Sequence, residues 1–329
     1  MANNVNNTFI EFINEKVNIE QEKTNRARNS RDNLIDNIKS FSGDSDFFQI
    51  YSEKILNFGS FGRRTKIRPI DDIDLMICIS AEGQRTYVER NGIFYINGSS
   101  KDSANGLLKE GTNYLNSNKV INRFISKLGN LKDYRKAEMH KNQEAATLQL
   151  LSYTWNFDIV PCFYTDTNFY LIPDGQGNWK KTDPRIDRER TISINQKHSG
   201  KLLELIRIMK YWNNRKVTLK IGSYLLETMI LNRYEKLNSI TNWSIDVQIR
   251  ETFKELATSI LYLVDDPKEI QGNLNSFTKE EREKISNSFY NMYQKANEAI
   301  NKEINENNQK GAINKWREIF GDEFPEYTD

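Results

Sequence analysis

The stretch Gly59-Ser60-Phe61-Gly62-Arg63-Arg64-Thr65-Lys66-Ile67-Arg68-Pro69-Ile70-Asp71-Asp72-Ile73-Asp74-Leu75 decides how this chain is read. It sets a glycine-flanked turn beside a closely spaced pair of carboxylates. Ile73, Leu75, Ile77 and Ile79 are apolar at every second position, which predicts a half-buried strand with Asp72 and Asp74 projecting from one face. Two carboxylates held about 5 Å apart repel by on the order of 3 kcal/mol at an effective dielectric of about 20, so their surroundings must supply positive charge or a proton. A divalent cation answers this most simply, and oxygen donors on a rigid strand suit Mg²⁺ or Mn²⁺. Gly59 and Gly62 let the backbone approach a ligand and present N–H groups, with the Ser60 hydroxyl as a further donor, which suits a triphosphate. Neither half is specific alone; joined on one short connection ahead of a strand, they point to chemistry on nucleotides. Asp71 competes with Asp72, but only Asp72 stands two residues from Asp74, and Asp71 reads as a turn residue.

The pattern resembles the hydrophobic-Gly-Ser, spacer, Asp-hydrophobic-Asp-hydrophobic signature of the DNA polymerase β-like nucleotidyltransferases. That resemblance implies a third acid, written hydrophobic-Asp-hydrophobic, and Phe157-Asp158-Ile159-Val160-Pro161 is the candidate. Asp265 and Asp266 precede Pro267 and read as a turn, while Asp133, Asp166 and Asp174 lie in polar, loop-like surroundings. Within the superfamily, Gly-Ser-Phe-x-Arg-x-Thr-x-Ile-Arg-Pro followed by Asp-Ile-Asp-Leu is similar to the bacterial CD-NTases, relatives of cyclic GMP-AMP synthase and oligoadenylate synthase. Tyr170-Leu171-Ile172-Pro173-Asp174-Gly175 with Trp179 and Thr182-Asp183-Pro184, Ile208-Met209-Lys210-Tyr211-Trp212-Asn213, and Ser223-Tyr224-Leu225-Leu226-Glu227 extend the likeness from Asn57 to Glu227.

The resemblance implies an α+β, bilobal polymerase β-like nucleotidyltransferase fold. It has a mixed-sheet catalytic lobe, a long N-terminal spine helix and a C-terminal helical bundle. Residues 1–175 would form the catalytic lobe with the spine, and 176–329 the helical lobe closing the nucleotide cleft. Asp72, Asp74 and Asp158 would be the catalytic and metal residues, holding two Mg²⁺ or Mn²⁺ ions. Gly59, Ser60, Arg63, Thr65, Lys210, Ser223 and Tyr224 would contact the nucleotide. Lys210 also fits a snorkelling surface lysine and Tyr224 a core aromatic. The implied activity makes a cyclic di- or trinucleotide second messenger from nucleoside triphosphates, releasing pyrophosphate, for a downstream effector in antiphage (CBASS) signalling. An enzyme of the same superfamily making linear oligonucleotides, or modifying an RNA end or a small molecule, is the first alternative. A nucleotide-binding sensor without turnover is the second, and the three intact acids argue against it.

Composition agrees with this reading. With 329 residues and 37% hydrophobic content, the chain suffices for two packed lobes. Its 47 basic and 45 acidic residues leave a net charge of +2, so no overall field draws it to nucleic acid or an anionic membrane. Cys78 and Cys162 read as buried thiols in a reducing compartment. The polar start, Met1–Asn7, is unlike a signal peptide and no apolar run matches a bilayer, which predicts a cytoplasmic location. His140 and His198 read as surface or loop residues, too few for a zinc site. The zinc-containing insertion of the animal synthase therefore has no counterpart, and zinc-dependent DNA sensing is not expected.

One long or two successive amphipathic helices are expected before the motif, from Phe9, Phe12, Val17, Leu34 and Ile38. Strands are predicted near 55–58, 73–79, 93–96, 147–152, 157–164 and 169–172, with a helix near 114–128. After the turn-rich connector ending at Pro184 the pattern is helical, with Trp316 and Phe320 docking the last helix.

Overall fold

The computed structural model describes residues 2–132, 134, 135, 137–149, 154–215 and 219–328. Asp133 and the last three residues of the strand predicted over 147–152 lie outside the described residues. The chain divides into two compact units: Gln21–Arg63 with Pro69–Arg185 form a sheet unit, and Met1–Glu20, Arg64–Arg68 and Ile186–Asp329 form a helical unit.

The N-terminal stretch is two helices, α1 (Val5–Phe12), extended by a π-helical turn over Ile13–Val17, and α2 (Gln21–Ser40). Asn18 leaves the helical region at φ −74° and ψ 143°, which ends the first helix. In the sheet unit follow β1 (Leu56–Asn57), the one-turn helix α3 (Gly59–Gly62), β2 (Asp72–Ile79), β3 (Tyr87–Arg90), β4 (Ile93–Ile96), α4 (Ser100–Ala104) and α5 (Ser117–Gly129). Then come β5 (Glu138–Asn142), β6 (Ala145–Gln149), β7 (Asn156–Tyr164), β8 (Tyr170–Pro173) and β9 (Trp179–Thr182). The order is β1-β2-β7-β8-β9-β4-β3, with β6 also on β7 and β5 beyond β6. β2 and β7 are parallel and the remaining strand pairings among the described residues are antiparallel, so the sheet is mixed.

Three strands, β3, β5 and β9, were not signalled by the sequence. Their residues are largely polar or exposed, as in Glu-Met-His-Lys-Asn over Glu138–Asn142, so no period of two marks them. Helix α5 starts three residues later than its apolar pattern suggests, because the Asn116 side chain caps it by accepting from the Asn118 and Lys119 N–H groups. Strand β2 is half-buried only at its acid end. Beyond Asp74 both faces are covered, with Met76 and Cys78 packed on Ala145, Val160, Cys162 and Tyr170. Both cysteines are free and buried.

Away from the acids the sheet unit buries an ion pair. Arg85 donates through Nε and Nη2 to the two Asp102 oxygens, 2.9 Å each, with both side chains 2% exposed. Burial pushes the Asp102 carboxyl up, but hydrogen bonds from Arg85 and Ser99 more than offset it and hold the group below its ordinary range. A depressed carboxyl contributes stability that is present above its unfolded pKa of about 3.9 and is lost as pH falls through the lower folded value. Asp102→Asn, which leaves the buried guanidinium with only the more exposed Glu82 carboxylate at 3.1 Å as counter-charge, is expected to cost up to about 3–5 kcal/mol in denaturant unfolding at neutral pH. The deficit against the native chain should shrink as the pH is lowered into the acid range; a pH-independent deficit would remove the ion pair as its cause.

The helical unit combines α1 with α6 (Pro184–Lys197), α7 (Leu202–Asn214), α8 (Ser223–Lys236), α9 (Ile245–Ser259), α10 (Lys279–Ile304) and α11 (Gln309–Phe320). Phe9, Phe12, Met209, Trp212, Leu226, Phe253, Phe289, Trp316 and Phe320 share one core, and the last two dock α11 as expected. His198, expected at the surface or in a loop, lies in a turn but not at the surface. It is fully buried after α6, with Nε2 2.7 Å from the Tyr234 carbonyl and its ring edge-on to the Tyr234 ring. His140 is exposed on β5. The segment Arg64–Arg68, although it joins α3 to β2, belongs to the helical unit: Ile67 enters the core, and Arg68 donates to the Asn14 carbonyl at 2.9 Å and pairs with Glu20 at 3.1 Å. Among the described residues no helix is long and apolar enough to cross a membrane.

Candidate functional site

The register of β2 on β7 places Asp74 beside Asp158 and Asp72 beside Asn156. Residues two apart share a face, and in-register neighbours point the same way, so the three acids converge at the start of two parallel strands. One oxygen from each of Asp72, Asp74 and Asp158 lies within 4.8 Å of the others, and all three residues are half-buried. Strand β6 continues the row: Thr147 stands opposite Asp158, and its Oγ1 donates to Asp158 Oδ1 at 2.6 Å.

The glycine turn is fitted to this group. Phe58 donates its N–H to the Asp74 carbonyl at 3.2 Å, and the chain enters α3 through Gly59 at φ +64°. A Cβ on Gly59 would lie 1.7 Å from Asp74 Oδ2, so conformation and space both demand glycine there. On the other side, a Cβ on Gly62 would come within 2.8 Å of the Asn57 carbonyl oxygen. Ser60 and Arg63 are half-buried on this turn. Asp71 lies just ahead of β2 and outside the acid group: it is exposed, its Oδ1 accepts the Asp72 N–H at 3.0 Å, and its carbonyl accepts the Asn156 N–H at 2.8 Å.

The donor set fits a divalent cation. Three anionic oxygens on rigid strands, partly open to solvent, match hard ions such as Mg²⁺ or Mn²⁺, and the missing Gly59 side chain keeps the space beside Asp74 clear.

The other expected nucleotide residues lie in the helical unit. Thr65 is buried and donates to Glu227 Oε2 at 3.1 Å, while Lys210 Nζ donates to Glu227 Oε1 at 2.7 Å. Lys210 and Glu227 side chains are 5% and 2% exposed, so Lys210 is no snorkelling surface lysine. Glu227 was not assigned a role from the sequence; the available signal was an acid inside the apolar run Leu225-Leu226-Glu227-Thr228-Met229-Ile230. Ser223 is exposed at the first position of α8. Next to it, the Tyr224 hydroxyl lies 2.8 Å from Oδ1 of both Asp187 and Asp266, and the Lys268 ammonium sits 4.1 Å from the centre of its ring. Burial, then the two carboxylates, push the Tyr224 phenol well above its ordinary range. Asp266, read as a turn residue, also accepts backbone N–H groups from Lys268, Ile270 and Gln271 and is buried.

No protein-family model matches the chain. It is 43% identical over 338 aligned positions, covering all of both chains, to a protein of Bacillus cereus (strain VD146) described as a probable cyclic nucleotide synthase. It is 25% identical over 202 positions, 59% of this chain and 57% of the other, to the cyclic AMP-AMP-AMP synthase of Acinetobacter sp. (strain ATCC 27244 / 9458). Its fold is that of the Vibrio cholerae DncV cyclic AMP-GMP synthase, solved in complex with the linear intermediate pppA(3′,5′)pG: TM-score 0.70 at 11% identity, covering 98% of this chain and 97% of that one.

Proposed function

Because the chain belongs to the bacterial cyclic nucleotide synthases, the CD-NTases, and is a nucleotidyltransferase, we propose that Asp72, Asp74 and Asp158 carry its chemistry. In this reading nucleoside triphosphates are joined into a cyclic di- or trinucleotide with release of pyrophosphate. The observation that carries it is the convergence of the three carboxylates beside a glycine whose Cβ would meet Asp74.

Asp72, Asp74 and Asp158 would hold two Mg²⁺ or Mn²⁺ ions, which when bound stabilise the attacking and leaving oxygens of an in-line displacement at the α-phosphate. The chain's own groups supply the rest. The backbone and hydroxyl of Gly59 and Ser60 donate to the triphosphate, and Arg63 adds positive charge. Asp158, half-buried, takes the proton of the attacking ribose hydroxyl. Lys210 and Thr65 would act indirectly, by fixing Glu227 of α8, which accepts from both inside the helical unit. Ser223 donates its hydroxyl from the exposed start of α8, and Tyr224 offers its ring to a base while its own hydroxyl is tied to Asp187 and Asp266. The sheet unit would act as the catalytic lobe and the helical unit as the nucleotide-binding lobe. The product would be a second messenger made in the cytoplasm for a downstream effector of antiphage (CBASS) defence, as the family resemblance implies; the Bacillus cereus relative supports the cyclic nucleotide itself. The testing experiment is Mg²⁺-dependent pyrophosphate release from nucleotide mixtures, compared between the native chain and one lacking the Asp72 and Asp74 carboxylates.

A further inference from the structure

Three neighbouring strands present one residue each in a single row: Thr147 on β6, Asp158 on β7 and Asp74 on β2. Only the last two are acids. Thr147 is 5% exposed, and its Oγ1 lies 2.6 Å from Asp158 Oδ1, the length of a hydroxyl-to-carboxylate bond at its strongest. A threonine in a strand has restricted rotation about its first side-chain bond, and β6 is clamped by β5 on one side and β7 on the other. Asp158 by contrast is half-buried, and a carboxylate turns readily about its Cβ–Cγ bond unless a partner fixes it.

We propose that Thr147 is a positioning residue for the transfer reaction: its hydroxyl fixes the plane of the Asp158 carboxylate so that the third acid meets the metal and the attacking hydroxyl in one orientation. This rests on the catalytic reading of Asp158. Partners that orient a metal-ligating carboxylate typically matter 10–100-fold, roughly, for metal affinity or turnover.

The experiment uses the full chain and three substitutions. Thr147→Val keeps the branched shape and removes the hydroxyl, Thr147→Ser keeps the hydroxyl, and Asp158→Asn removes the acid. Turnover with nucleoside triphosphates and Mg²⁺ is measured together with Mn²⁺ binding by electron paramagnetic resonance and thermal unfolding. Thr147→Val should lower kcat and weaken Mn²⁺ binding by about 10–100-fold with little change in KM, and Thr147→Ser should restore most of both. On the Asp158→Asn background, Thr147→Val should cost nothing more, since the carboxylate it orients is gone. Native kcat and Mn²⁺ affinity in Thr147→Val, or a Thr147→Ser variant as impaired as Thr147→Val, overturns the proposal while leaving Asp158 in place. Full turnover in Asp158→Asn overturns the reading beneath it. Should Thr147→Val not fold, the Thr147→Ser comparison with Thr147→Ala decides in the same way.

Discussion

Replacing Asp72 and Asp74 by asparagine in one chain is expected to abolish pyrophosphate release from nucleotide mixtures with Mg²⁺, a loss of at least about a thousandfold. Each asparagine keeps the shape of the side chain and removes its charge. What is lost is the anionic cage that Asp72, Asp74 and Asp158 form within 4.8 Å. Stability should move the other way or not at all, because like charges about 5 Å apart repel by on the order of 3 kcal/mol at intermediate dielectric and the substitution relieves that repulsion. An inactive chain with unchanged or raised Tm therefore identifies the acids as the reacting machinery. A fully active double variant removes them from it.

Gly59→Ala is expected to be the next most damaging change, through a different physical route. The new Cβ would stand 1.7 Å from Asp74 Oδ2, and the residue sits at φ +64°, so either the turn or the acid must move. Displacing a catalytic group by about 1 Å costs on the order of a hundredfold in rate. Overpacking and left-handed backbone together should lower stability by about 2–4 kcal/mol. Gly83→Ala separates the two effects. Gly83 has the same backbone sign, φ +66°, but its Cβ would meet open space, so only the conformational cost of about 1–2 kcal/mol should appear and turnover should stay native. Equal loss of activity in both variants would mean that the close approach to Asp74 is unimportant. Activity and melting temperature, measured side by side, check this.

Parts of this arrangement were legible in the sequence because their cause is local. The period of two in Ile73, Leu75, Ile77 and Ile79 put Asp72 and Asp74 on one face, and the structure has them there. Asp158 was reached through family resemblance, since its partnership with Asp74 depends on the parallel register of β2 on β7, which no local pattern encodes. The same non-local pairing hid Thr147, an ordinary strand threonine until β6 is laid opposite Asp158. Lys210 was legible as a lysine beside an apolar stripe; that Glu227 would meet its ammonium required the packing of α7 against α8. His198 lies in a turn, one of the two positions expected of it, but helix packing buries its ring on the Tyr234 carbonyl, which no local pattern announces. Cys78, by contrast, was legible as a buried thiol, and the structure buries it with Met76 against Tyr170 and Ala145.

The central claim is that these residues make a cyclic nucleotide, and one measurement meets it directly. The purified chain is incubated with each pairwise mixture of radiolabelled ATP, GTP, CTP and UTP with Mg²⁺, treated with phosphatase, and the products are separated and weighed by mass spectrometry. A ring has no terminal phosphate, so the expected result is a phosphatase-resistant product whose mass is a whole number of nucleoside monophosphate units less the water lost from each. Label recovered only as inorganic phosphate and nucleosides, or as linear oligonucleotides shortened by the phosphatase, would contradict it.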